Sequence, residues 1–169
     1  MSTSDAEQEA LAALGPRFMG ALQARADGDI DTAEEELRAI LKVEPRLPEP
    51  HMELARILLD TSRLEEAEEH AREALTHLEA GGQWTEELPE NVVLALANAL
   101  LAEILRQHAD QDDVIFGDPE RFKGMLDEAR SRFARASELD PRDEYSSFHA
   151  FFLGPVPGAP ESPAAPREE

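Results

Sequence analysis

"GDIDTAEEELRAILKVEP", residues 28–45, opens on a turn, runs through an acidic helical pattern and stops at a proline. Thirty-four residues further on the pattern returns as "SRLEEAEEHAREALTHLE", residues 62–79. Ala33, Glu34 and Glu35 recur as Ala67, Glu68 and Glu69, Arg38 and Leu41 recur as Arg72 and Leu75, and Ile30 becomes Leu64. Upstream, Ala21 is answered by Ala55. A fixed period of this length marks supersecondary units that bury their apolar faces only against one another.

Each unit reads as two helices joined by a turn. The first runs from Leu14 to Leu47 and the second from Pro48 to Gly81, with no gap between them. Ala21 and Ala55 are small where the first helix of a unit must approach the second, and Ala33 and Ala67 supply the matching small contact. Gly28 permits the positive φ of the intervening turn. Leu37, Ile40 and Leu41 form a buried stripe, answered by Ala71, Ala74 and Leu75. Pro45 ends one helix, and Pro48 and Pro50 favour the start of the next.

A third, stretched unit spans about 88–141. Ala129, Phe133, Ala136 and Pro141 keep the spacing of a second helix. Its partner is predicted within "PENVVLALANALLAEILRQ", with Leu96 and Ala97 at the close contact. The longer separation predicts longer helices and an inserted loop, "HADQDDVIFG", before a helix capped by Asp118 with Pro119 in its first turn. Residues 1–13 read as an N-terminal helical arm, opened by a capping box of Ser4 with Glu7 and broken at Gly15–Pro16. Residues 142–153 are predicted to cap the array with Tyr145, Phe148 and Phe152 on one helical stripe. Residues 154–169 are too rich in proline and too poor in core residues to be expected to fold.

Composition agrees on an all-α chain. Of 169 residues 41% are hydrophobic but only 5% aromatic, and Ala, Leu, Glu and Arg dominate. A net charge of −21 opposes nucleic acid or an anionic membrane as partner. No cysteine is present for disulfide or thiol chemistry. No signal peptide is visible, no apolar run reaches the length of a membrane span, and a cytoplasmic location is the expectation.

The period, the small residues and the closing proline resemble the tetratricopeptide repeat family, although the bulky aromatics usual in the first helix are replaced by Arg17, Ala24, His51 and Leu58. The resemblance implies a solenoid whose first helices line a concave groove for a partner segment. Carried over by position, the groove residues are Phe18, Leu22 and Arg25, then Met52, Arg56 and Leu59, then Leu94, Asn98 and Leu101. Phe18, Leu22, Met52 and Arg56 stand where relatives that bind chaperone tails carry a Lys/Asn clamp, so that specificity is not expected. Arg25 and Arg56 could instead hold a partner carboxylate.

No catalytic residue, metal site or cofactor is assigned. His70 and His77 are seven apart with Glu73 between them, but His77 occupies a stripe position and reads as a packed histidine. Counting an EF-hand from Asp110 puts Ile115 and Arg121 where Gly and Glu are required. Glu34–Glu36 and Glu65, Glu66, Glu68 and Glu69 read as a solvated convex face. The leading expectation is a non-enzymatic adaptor that binds another protein. The alternative is a small acidic secretion-type chaperone shielding an apolar client segment; the third reading is an enzyme or metal protein, and the remainder is an oligomer, a weak homo-oligomer included, built through the apolar groove or tail.

Overall fold

The computed structural model describes residues 3–152, with side chains described for 5–150. Among them lie nine α-helices and no strand: α1 (Thr3–Ala12), α2 (Leu14–Ala26), α3 (Ile30–Val43), α4 (Pro48–Asp60), α5 (Leu64–Glu79), α6 (Glu90–Ala109), α7 (Asp112–Gly117), α8 (Pro119–Leu139) and α9 (Glu144–Phe152). Helices α2/α3, α4/α5 and α6/α8 form three antiparallel pairs, stacked through α3 against α4 and α5 against α6. The described residues thus form an all-α solenoid of stacked helix pairs.

Turn chemistry sets the pairs. Gly28 takes a φ of 84° after α2, and the Asp29 N–H returns to the Ala24 carbonyl at 2.9 Å, which satisfies an orphan helix-end acceptor. The Asp29 carboxylate then caps α3 through the Thr32 N–H. One period later Ser62 holds the same left-handed conformation at φ 59°, and the Arg63 N–H returns to Leu58. Pro48 and Pro119 sit in the first turns of α4 and α8, where a missing N–H costs nothing. Asp118 caps α8 by accepting from the Arg121 N–H at 3.0 Å.

Packing follows the small residues. Ala33, Ala55 and Ala67 are fully buried, Ala21 nearly so, and the stripes Leu37–Ile40–Leu41 and Ala71–Ala74–Leu75 lie in the same core. Phe133 is fully buried on α8. Helix α6 is central, packed on α4, α5 and α8. By length and composition alone it could cross a membrane, with a mean hydropathy of 1.3, which corrects the reading that no segment could. In the fold 61% of that apolar window is buried against protein.

Several local expectations need correction. The break before the repeats falls at Ala13, and Gly15 and Pro16 lie inside the first turn of α2, where proline is tolerated. Helix α1 starts at Thr3, which puts Ser4 inside the first turn instead of at the cap position. The Ser4 side chain, Leu153 and the Pro-rich stretch 154–169 lie outside the described residues. The acidic insertion is not all loop, because residues 112–117 form α7 and Val114 is buried. On α9 it is Ser146 and His149 that turn inward, with Tyr145 at the edge. Phe148 is 55% exposed, and the Phe152 side chain lies outside the described set.

The acidic outer face is not simply solvated. Arg63 donates to both oxygens of Glu34 at 2.6 Å, and Arg38 joins Glu34 on its own helix to Glu66 on α5. Arg72, one period after Arg38, joins Glu68 to Glu128 on α8, with contacts of 2.7–2.9 Å. Arginines thus clip each second helix to the next. The hydrogen bonds from Arg63 to Glu34 hold its carboxyl down at about 2, against an ordinary 4.5. Between those values the unfolded chain binds a proton that the folded chain refuses, so stability rises with pH there. The Glu34 contribution should be complete above about pH 4.5 and lost as pH falls toward 2. Melting temperature measured across that window should fall less steeply in Glu34→Gln than in the parent. Parallel curves would mean that the clip contributes nothing.

Candidate functional site

Helices α2, α4 and α6, the first members of the three pairs, line one concave surface. The chain itself covers half of it. After Gly81 (φ 82°) ends α5, residues 82–89 run without helix across the beginnings of α2 and α4. The Trp84 ring lies 5.3 Å from that of Phe18, centroid to centroid. The Glu49 carboxylate, almost fully buried in the first turn of α4, accepts the Trp84 N–H at 3.0 Å and the Thr85 N–H at 3.0 Å. Gln83 then ties the strap together by donating to the carbonyls of Thr85 and Leu88, both at 2.8 Å. Under the strap remains a cavity of about 140 Å³ lined by Phe18, Leu22, Met52, Arg56, Leu88 and Leu96.

The other half is open. A groove of about 620 Å³ is floored by Leu59, Leu96, Ala99 and Leu100, with Arg25 and Arg56 on one wall and Glu103 and Tyr145 on the other. Burial works against ionisation of Glu103, but hydrogen bonds from Arg106, Gln107 and Tyr145 outweigh it and hold its carboxyl below the usual range. The Tyr145 hydroxyl donates to Glu103 at 2.9 Å, so α9 contributes to this wall directly. On the opposite wall Glu53 lies between the two arginines, 2.9 Å from Arg25 Nη1 and 3.7 Å from Arg56 Nε. The guanidinium of Arg56 stands at the divide, lining both the covered and the open halves. Its Nε is buried and makes no hydrogen bond.

The nine groove residues named from sequence therefore separate into three sets. Arg25, Arg56 and Leu59 line the open half. Phe18, Leu22 and Met52 lie under the strap, and Phe18 and Met52 are buried. Leu94, Asn98 and Leu101 do not reach the groove. Asn98 is buried and accepts from Arg132 of α8 at 3.2 Å, while the fully buried Leu101 sits beside Arg72, Leu75 and Arg132 on the α5/α8 side. Leu96, Leu100 and Glu103 take their place, two residues out of register and thus on nearly the opposite face of α6. Leu96, expected at the close contact with Ala97, is 37% exposed, and only Ala97 is buried there. The spacing of Glu103 and Gln107, four apart on a largely apolar helix, was the sequence signal for this water-facing stripe.

Residues 24–79 match the tetratricopeptide repeat family. Over that third of the chain the protein is similar to tetratricopeptide repeats. No curated protein matches the chain. The tetratricopeptide match begins near the end of α2 and closes with α5. It thus includes both residues of the arginine wall, and α6 to α9, which supply the opposite wall, lie beyond it. The match suggests a protein–protein interaction module, and the concave face of the helix pairs is narrowed by the strap to one open half.

Proposed function

We propose that the protein is a non-enzymatic adaptor that holds a short segment of another protein in the open half of the groove. The observation that carries this reading is an apolar floor of Leu59, Leu96, Ala99 and Leu100 between an arginine wall and a Glu103–Tyr145 wall. Apolar floor supplies affinity, and the polar walls orient a segment through its backbone and charges. Glu53 already uses part of the Arg25 and Arg56 charge, so a partner carboxylate must share these cations with it. The net charge of −21 supports a protein partner over a polyanion.

The test uses the full chain with a photoreactive residue at position 99. Leu96→Arg and Arg56→Glu change groove-facing, partly exposed side chains and should leave the melting curve unchanged. Each should weaken the crosslinked partner's binding by about tenfold or more, which is about 1.4 kcal/mol. A partner bound equally by the parent and both variants would place the docking surface elsewhere. Recovery of one dominant secreted client would replace the adaptor reading with the chaperone reading.

A further inference from the structure

We propose that His51, Glu73 and His77 form a binding site for a first-row divalent cation of the zinc class, bridging α4 and α5 within the second repeat. None of the three lines either half of the groove. Their ligand atoms lie within 4.8 Å of one another. Glu73 and His77, one turn apart on α5, already stand 3.3 Å apart, Oε2 to Nε2. Metal bonds of about 2.0–2.2 Å in a tetrahedron put neighbouring ligands roughly 3.3–3.5 Å apart, so that edge is preformed. The remaining edges, from His51 to Glu73 and from His51 to His77, are at most 4.8 Å and close when Glu73 and His77, whose side chains are 58% and 23% exposed, shift toward His51 by about an ångström or more.

The third ligand is oriented by the fold. His51 Nε2 lies 2.7 Å from the Pro45 carbonyl, which can only accept, so Nε2 carries the proton and Nδ1 carries the lone pair. This carbonyl-anchored tautomer is the usual outer support of a metal-bound histidine. His70 Nδ1, 2.9 Å away, donates its proton to that lone pair. A metal ion would displace His70 from Nδ1, or take it as a fourth ligand once its proton is lost. Two imidazoles and one carboxylate select zinc, nickel, copper or cobalt over magnesium or calcium, which prefer all-oxygen shells. The sequence alone hid this set, because its histidine from α4 is 22 residues from Glu73 and meets α5 only through the fold of the repeat.

The test is a calorimetric titration of tag-free, chelator-stripped full-length protein with zinc chloride, repeated with magnesium chloride. One zinc ion per chain should bind, with a rise in melting temperature that magnesium does not reproduce. His77→Ala, at a partly exposed position, should lose the thermal shift and weaken binding by about tenfold or more. Glu73→Gln supplies a second, exposed variant should His77→Ala disturb the helix, and it too should weaken zinc binding. The proposal is overturned if zinc does not bind. It is equally overturned if zinc binds the parent and a folded variant alike, as a diffuse acidic surface would bind it.

Discussion

Phe133→Ala should destabilise the protein by about 3–5 kcal/mol, the cost of emptying a fully buried aromatic site. The Phe133 ring is the surface on which the last helix rests. His149 stacks on it at 5.0 Å, and Tyr145 meets it edge-on at 6.0 Å. A repeat array leaves the apolar face of its last helix open unless something covers it, and α9 covers α8. Loss of the ring should therefore release α9 as well as open a cavity, and with it the Tyr145 bond to Glu103 on the groove wall. The chain contains one tyrosine and one tryptophan, which gives two local reporters. In denaturant, Trp84 follows the strap and Tyr145 follows the cap. The variant should show the Tyr145 transition before that of Trp84, and the parent should show the two together. A loss below about 1 kcal/mol would mean that α8 closes over the gap and that the cap does not depend on Phe133.

The repeat was legible because its signals are local and redundant. A 34-residue offset fixes Ala33 against Ala67 and Arg38 against Arg72 at once, and composition excludes sheet. Even a substitution at a turn does not obscure it: Ser62 stands where Gly28 stood and adopts the same left-handed backbone. The arginine clips were half-legible. Their partners one turn earlier follow from helical spacing, whereas Glu66 and Glu128 become neighbours only when second helices stack.

The groove was harder to read for two physical reasons. Helix α6 is apolar on nearly every side because it packs on three helices, so periodicity gives no direction, and register had to be carried across an insertion. A two-residue error there exchanged Leu94, Asn98 and Leu101 for Leu96, Leu100 and Glu103. The strap was hidden for a different reason. "GGQWTEELP" carries no periodic pattern, and its position depends on a buried carboxylate, Glu49, that reads in sequence as an ordinary first-turn acid. Groove residues chosen from the array alone thus included three that the chain's own strap covers.

Ala67→Leu should cost about 1–3 kcal/mol by overpacking. Ala67 is fully buried on α5, and so is its equivalent Ala33 on α3. At such a crossing the helices can approach only because the methyl group is the whole side chain, and interiors packed like crystals have no slack to admit three more carbons. The added leucine must therefore push α5 away from α4 or take a strained rotamer. Because the units repeat, Ala33→Leu should show the same loss, whereas Ala26→Leu, at the exposed end of α2, should stay within about 0.5 kcal/mol of the parent. The comparison separates overpacking from any general effect of leucine on helix propensity, which favours all three almost equally. Separation of α5 from α4 would also move His77 and Glu73 relative to His51, so zinc affinity should fall in Ala67→Leu and not in Ala33→Leu, whose crossing lies in the first repeat. Melting curves that do not distinguish the buried positions from Ala26 would show that the crossings are loose. The alanine period would then reflect helix propensity alone, and the repeat would lose its packing explanation.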